Sequence, residues 1–387
     1  MFVQRFLHLR PFLNKKSCFL FGPRSVGKTH LIHEEIKGLA HVLYIDLLKG
    51  RYFTLLSGNP SELENLIEDH HKIIILDEIQ KIPPLLDEVH RLIEEKRKIH
   101  FLLTGSSARK LKRGHANLLG GRAWTLNLFP LTTSEIIHFD LRRALRFGLL
   151  PSVWFSKNPE EELDSYISTY LKEEILAEGL SRNLPAFNRF LKVAALSSAN
   201  LINYAQMASD AQVAESTLRG HFEVLQDTLI GYLLEPFIES KKRKAIITPK
   251  FYFFDNGVRH ALMGTTALDR NSDLYGSSFE SFLAHEIRAY LSYTRLKLPL
   301  TFWRSTSQFE VDFLIGNDIA IEVKSTSQAH EKHLKGLMAL SEEKIFKHFY
   351  LITQDPLRRT HPLKNGSKAI FLPWNDFLKQ LWNKKII

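Results

Sequence analysis

Eight residues near the start of the chain constrain its fold more than any others: Gly22, Pro23, Arg24, Ser25, Val26, Gly27, Lys28 and Thr29 satisfy G-x-x-x-x-G-K-[ST]. Each position has a physical task. The glycines let successive backbone N–H groups wrap a phosphate chain, Lys28 reaches the β and γ phosphates, and Thr29 offers a hydroxyl to Mg²⁺. The loop also needs a buried strand before it and a helix after it. Both are legible, as the apolar run Ser17–Phe21 and the amphipathic segment Lys28–Ile36. ATP with Mg²⁺ is the expected ligand.

The rest of the first third agrees. Apolar runs at Val42–Asp46, Ile73–Asp77, 100–104 and 124–129 alternate with helical patterns near 61–69 and 85–96. Buried parallel strands separated by helices make a doubly wound α/β layer. Strand Ile73–Asp77 carries Asp77 and Glu78 to its C-terminal end, where open sheets place ligands. Asp77 is expected to hold Mg²⁺ with Thr29, and Glu78 to orient the attacking water. The next strand ends in Thr104-Gly105-Ser106-Ser107, read equally as a γ-phosphate sensor through Thr104 or Ser106 and as an ordinary turn. Arg109, Arg113 and Arg122 follow, and Arg122 is the chosen candidate for a finger reaching a neighbouring subunit's ATP; the plainer reading is a surface arginine.

These motifs, Gly-Pro-Arg-Ser-Val-Gly-Lys-Thr at 22–29, Leu-Asp-Glu-Ile-Gln-Lys at 76–81, Leu-Thr-Gly-Ser-Ser at 103–107 and Gly-Arg-Ala at 121–123, resemble the AAA-type ATPases of bacteria and archaea that carry an uncharacterised C-terminal domain. The resemblance implies an AAA-like strand order and assembly into a homo-oligomeric ring.

After Pro130 the pattern turns helical, with candidates at 163–177 and 186–198. A compact pair at 203–209 and 215–228, followed by strand-like 231–238, suggests a winged helix-turn-helix. Its second helix would expose Arg219, His221, Glu223, Gln226 and Asp227, a mixed face that suits DNA contact or packing between domains. The net charge of +10 favours a polyanionic partner such as DNA, and the densest basic cluster is Lys241-Lys242-Arg243-Lys244. The single cysteine, Cys18, excludes an internal disulfide and points to a reducing, cytoplasmic setting. No apolar run approaches the ~18 residues needed to span a bilayer, so no membrane partner is expected.

In the last third, Phe309, Val311, Phe313 and Ile315 alternate with Glu310, Asp312 and Leu314, and after Gly316-Asn317-Asp318 the residues Ile319, Ile321 and Val323 alternate with Ala320, Glu322 and Lys324. A three-residue hairpin loop would pair Ile315 with Ile319. Asp312 then opposes Glu322, and Glu310 forms a cross-strand ion pair with Lys324. Like charges at Asp312 and Glu322 need a compensator, and Mg²⁺ or Mn²⁺ is the natural one. Asp312, Glu322 and Lys324 resemble the D-x(n)-E-x-K core of the PD-(D/E)xK nucleases. The resemblance implies a further glutamate from a preceding helix: Glu280, with Ser278 capping and Glu286 in reserve. On this reading Glu280, Asp312 and Glu322 hold metal and Lys324 activates water.

The expected fold is α/β: an AAA-like P-loop ATPase domain over 1–130, a helical and winged-helix region over 131–250, and a restriction-endonuclease-like α/β domain over 251–387. The rival to a DNA-cutting enzyme is a nucleotide-dependent switch whose C-terminal domain binds protein or nucleic acid without cutting.

Overall fold

A computed structural model describes residues 3–95, 98–105, 118–171 and 183–387. Among them, β1 (Ser17–Phe21), β2 (Val42–Asp46), β3 (Ile73–Asp77), β4 (His100–Gly105) and β5 (Ala123–Asn127) form one parallel sheet in the order β2-β3-β4-β1-β5. Helices cover both faces, which is why β1 is buried along its whole length and reads as unbroken apolar sequence. The loop 22–29 links β1 to α1 (Lys28–Ile36), and α2 (Leu85–Glu94) packs with Leu85, Leu86, Val89 and Leu92 buried. Two helical expectations shift. The pattern over 61–69 shrinks to Glu62–Asn65, and Gly50–Gly58 forms an unanticipated helix that buries only Leu56, too thin a stripe to show as periodicity.

The middle begins with short helices at Leu141–Phe147, Pro151–Phe155 and Pro159–Ser165. The helix expected over 163–177 is instead the end of the last of these, running into a π turn at Tyr166–Leu171; residues 172–182 lie outside the described set. Then come α3 (Leu184–Leu196), β6 (Asn200–Leu201), α4 (Tyr204–Ala211), α5 (Glu215–Asp227), β7 (Gly231–Pro236) and β8 (Lys250–Phe253). His221, expected on the exposed face of α5, is buried between Phe187 and Phe190, with ring centroids 4.7 and 5.1 Å away. Its neighbours on the helix, Leu218, Phe222 and Leu225, widen the apolar stripe enough to take the imidazole inside.

The last block runs α6 (Asp273–Tyr293), β9 (Leu300–Arg304), β10 (Glu310–Ile315), β11 (Ile319–Lys324), α7 (Lys335–Ser341), β12 (His348–Thr353), β13 (Arg359–Pro362), β14 (Lys368–Pro373) and α8 (Trp374–Trp382). Helix α6 starts earlier than expected. Ser272 caps it by accepting from Tyr275 N, while Ser278 lies inside and donates to Leu274 O. The hairpin has the expected register, Ile315 opposite Ile319 across a Gly316 turn.

Strands from the middle and the last block share one nine-stranded sheet, β13-β14-β12-β11-β10-β9-β7-β8-β6, because β7 pairs in parallel with β9 at Glu235–Thr301 and Pro236–Phe302. The boundary expected at 250/251 therefore falls inside β8. Cores are shared too. Leu20, Ile75 and Leu102 of the first sheet join Phe187, Phe222 and Phe251 in one cluster, and Leu145 and Trp154 join Phe282, Phe313 and Ile321 in another.

Candidate nucleotide site and C-terminal acid cluster

Ser25 and Gly27 hold left-handed backbone, φ 65° and 93°, and so turn the N–H groups of loop 22–29 inward. Gly22 is packed so closely that a Cβ there would overlap the Leu128 carbonyl oxygen. Lys28 is buried, and its Nζ donates to the carbonyls of Gly22 (2.8 Å) and Pro23 (3.1 Å).

The loop meets the end of β3 at one carboxylate. Thr29 Oγ1 donates to Asp77 Oδ2 at 2.9 Å, the Tyr44 hydroxyl donates to the same oxygen at 2.6 Å, and the Thr104 hydroxyl donates to Asp77 Oδ1. Thr104 Oγ1 also accepts from Glu78 N at 3.2 Å. Burial, then the bond to Asp77, raises the Tyr44 phenol well above its ordinary range, so it stays a donor. Glu78 has φ 64° and ψ 45°, and the Gln80 amide donates to its carboxylate. A non-glycine residue there costs roughly 1–3 kcal/mol, a strain that concentrates at working sites.

Thr29 and Asp77 fit one Mg²⁺ together with phosphate oxygens, a set that needs a single protein carboxylate. Ser106, Arg109 and Arg113 lie outside the described residues. Arg122 pairs with Glu94 of its own chain and turns Nη1 toward Gly120 O. Two contributors were invisible in the sequence. Tyr44 reaches Asp77 from the neighbouring strand. Buried Arg5 donates to Val26 O (2.7 Å) and Phe129 O (2.6 Å) while pairing with Glu135 at 3.0 Å, which pins the loop from behind. Neither belongs to a local motif.

In the C-terminal block, Glu280, Glu310, Asp312 and Glu322 converge, but around ammonium groups. Lys250, from β8, is buried. Its Nζ lies 2.5 Å from Glu310, 3.1 Å from Glu280 and 3.7 Å from Asp312. Lys324 pairs with Glu322 at 2.6 Å and approaches Asp312 at 4.0 Å. Burial works to lower the Lys250 pKa, yet Glu280, Asp312 and Glu310 outweigh it and hold the ammonium charged. Burial raises Glu280, which also accepts from the Tyr252 hydroxyl at 2.5 Å. Burial, then Asp312, raises Glu322 well above the carboxylate range.

Two expectations change here. The Glu310–Lys324 pair does not form: Glu310 goes to Lys250 and to Arg304 (3.1 Å), because β8 and β9 bring cations that the hairpin alone could not reveal. The compensator for Asp312 and Glu322 is likewise a pair of lysines. Asp312 Oδ2 accepts from Val323 N at 2.8 Å, while Glu322 Oε2 is buried without a hydrogen-bond partner. Among the described residues no group of three His, Cys, Asp or Glu side chains is placed to hold a metal ion. With Lys250 in this position, Glu280, Asp312 and Glu322 do not fit a divalent cation. Glu286, the reserve, faces away. It accepts from Thr133 N (2.8 Å), Thr133 Oγ1 (2.9 Å) and Trp382 Nε1 (2.7 Å).

The basic cluster is also docked. Glu343 accepts from the backbone N–H groups of Lys241 (2.7 Å), Lys242 (2.8 Å) and Arg243 (3.2 Å), and the Arg243 guanidinium pairs with Glu342 at 2.8 Å. The lysine side chains are left outside.

Residues 14–137 match the family described as an AAA domain. With the parallel sheet and its phosphate loop, this identifies the N-terminal third as a P-loop ATPase domain of AAA type. Residues 138–269 and 275–374 match two further families, described as Domain of unknown function (DUF8612) and Domain of unknown function (DUF4143). Among whole-chain relatives, Uncharacterized protein Rv2008c of Mycobacterium tuberculosis is 28% identical over 335 residues, covering 84% of this chain and 73% of that one. Uncharacterized protein MJ1544 of Methanocaldococcus jannaschii is 22% identical over 360 residues, covering 82% and 78%. A solved Walker-type ATPase of Pyrococcus abyssi, 16% identical, covers 66% of this chain and 93% of its own at a TM-score of 0.47, too loose a likeness to carry an argument.

Proposed function

We propose that the chain is an ATP-hydrolysing switch whose C-terminal block binds its target without cutting it. The 2.9 Å contact between Thr29 and Asp77 carries the first half, because it joins the phosphate loop to the end of β3 where a nucleotide-bound Mg²⁺ belongs. That ion would neutralise charge on the β and γ oxygens. Lys28 would leave the carbonyls of Gly22 and Pro23 for the phosphates. Thr29 and Asp77 would hold the ion, and Tyr44 and Thr104 would keep the Asp77 carboxylate aimed. Glu78, steadied by Gln80, would orient water for attack.

The second half rests on Lys250. An ammonium set among three carboxylates takes the place where a nuclease needs its metal. The partner the charge favours is nucleic acid, met through Lys241, Lys242 and Lys244 on their docked loop and by α5 of the winged-helix arrangement. Assembly into a ring would free Arg122 from Glu94 to act across the subunit boundary.

One observation favours a cutting enzyme as the second reading. Asp312 on β10 and Glu322 and Lys324 on β11 lie on neighbouring strands within the order α6-β9-β10-β11-α7-β12, an arrangement compatible with a PD-(D/E)xK-type core. On that reading β8 withdraws Lys250 before metal enters. Plasmid nicking in Mn²⁺, run beside phosphate release from ATP, separates the two. The switch reading expects phosphate release that Asp77→Ala abolishes, and no nicking above the Asp312→Ala background. Nicking lost on Asp312→Ala would overturn it in favour of the nuclease.

A further inference from the structure

The five parallel strands of the ATPase sheet begin on the edge opposite the phosphate loop, and a basic residue stands at the start of each. His41 precedes β2, Lys72 precedes β3, Lys98 and His100 lead into β4, Lys15 and Lys16 precede β1, and Arg122 precedes β5. The register keeps these starts level, since Val42 pairs with Ile73, Ile73 with His100, Cys18 with Leu102 and Ser17 with Ala123. They are also tied sideways: Lys72 N donates to His41 O at 2.9 Å, and His100 N donates to Lys72 O at 2.9 Å. Neighbouring strands lie ~4.8 Å apart, so the row is roughly 19 Å long, and the length of β1 keeps it roughly 16 Å from the phosphate loop.

Lys15, Lys72 and Lys98 are exposed and Lys16 is half-buried, and none of the four forms an ion pair among the described residues. Of the carboxylates in the same entry segments, Glu94 pairs with Arg122, Glu95 with Arg91 and Glu68 with His70 at 3.2 Å. Asp69 is exposed, one carboxylate against four ammonium groups. One end of the row carries aromatic surface. Trp124, half-buried on the edge strand β5, has Lys16 Nζ 5.8 Å from its ring centre and Phe12 of the short helix Arg10–Leu13 edge-on at 6.2 Å. Arg295 lies 5.7 Å over Phe12 and donates to Thr125 O at 2.6 Å, so it takes up a carbonyl on the outer edge of β5 and leaves that edge less open to strand pairing. A line of cations ending at an aromatic ring matches a single nucleic-acid strand, whose phosphates meet the ammonium groups while an unstacked base lies on the indole. A duplex supplies phosphates too, but keeps its bases stacked on one another.

We propose that this rim of the ATPase sheet binds single-stranded nucleic acid, with Lys72, Lys98, Lys15 and Lys16 against successive phosphates and Trp124 against a base. The surface is separate from loop 241–244 and from α5, and it stands whether or not those meet nucleic acid. Lys16 serves both parts, its ammonium group reaching a phosphate beside the ring that it already approaches.

The test is fluorescence anisotropy of the full chain with a fluorescein-labelled oligothymidylate of about twenty nucleotides across a salt series, beside a labelled duplex of the same length. Each phosphate contact to a single strand adds about 0.7 to the slope of log affinity against log salt, so the combined Lys15→Gln, Lys72→Gln and Lys98→Gln variant should lose about 2 from that slope and bind at least about tenfold more weakly. Trp124→Leu, which keeps an apolar side chain on β5, should weaken the oligothymidylate roughly fivefold to a hundredfold and the duplex less than about twofold. The combined Lys241→Gln, Lys242→Gln and Lys244→Gln variant is the comparison. Loss confined to that variant, with the rim variant binding as wild type does, would overturn the proposal and leave the reading of loop 241–244 intact. Wild type that binds duplex as tightly as single strand, or binds neither, would overturn it as well. If Trp124→Leu fails to fold, the rim lysine variant, which changes only surface side chains, decides through its slope.

Discussion

Glu78 and Asp77 are adjacent in sequence but make different contacts, and the backbone separates them. Asp77 ends β3 inside a ring of hydroxyl donors, whereas Glu78 turns left-handed out of the strand and meets the Gln80 amide. Glu78→Gln should therefore bind ATP as the wild type does yet release phosphate at least about a hundredfold more slowly, measured in single turnovers. Normal turnover would remove Glu78 from the mechanism. A second residue carries a pH signature. Burial, with a contribution from Glu135, pushes the Glu286 carboxyl up to about 7 from its ordinary 4.5. The folded state thus holds a proton that the unfolded state has lost between those values, so this group's stabilisation is full below about pH 4.5. It fades as pH rises and is gone above about pH 7, a change of up to roughly 3 kcal/mol. Thermal melts of wild type minus Glu286→Gln across that window should show the decline; parallel curves would contradict it.

Among the elements, β8 does most to set the chemistry of the last block, because it brings Lys250 to carboxylates that otherwise repel one another. Lys250→Ala should expose a Mn²⁺ site detectable by calorimetry and absent from wild type, and lost again on adding Glu322→Ala. Mn²⁺ binding to wild type would mean the ammonium does not exclude metal. Helix α7 makes a second close approach. A Cβ on Gly336 would overlap the Glu310 carbonyl of β10. Gly336→Ala should cost about 1–3 kcal/mol in urea melts, since backbone rather than a flexible side chain would have to move. An unchanged midpoint would show that α7 shifts freely. These elements also mark where sequence reasoning succeeds and stops. The β10–β11 register was legible because a three-residue loop fixes which residues face each other. Their ion partners were not, because Lys250 arrives from sixty residues upstream, and no spacing rule links it to Asp312. The phosphate loop was legible as a contiguous string whose spacing is the chemistry, whereas Tyr44 and Arg5 joined it only through packing. His221 looked exposed because a helical wheel counts residues, not the phenylalanines of α3 that cover them.

At the scale of the whole molecule, the three regions are not beads on a string. One sheet runs from β6 to β13 across two of them, and apolar clusters join the strands of the first sheet to α3 and α5 and the earlier middle helices to α6. Arg5 fastens the phosphate loop while approaching Tyr293 of α6 at 3.5 Å. The middle region and the last block, which share that sheet, should unfold together. Urea melts followed by far-ultraviolet dichroism and by tryptophan fluorescence are expected to coincide for that unit. On the proposed switch reading, this continuity would carry nucleotide occupancy at one end to the other, and nucleotide binding is the claim on which the account stands. Calorimetric titration of the full chain with ATP and Mg²⁺ tests it most directly. One site per chain is predicted for wild type, and none for Lys28→Ala at the same concentrations. A wild-type protein that takes up no ATP, or a Lys28→Ala variant that binds as well as wild type, would contradict it.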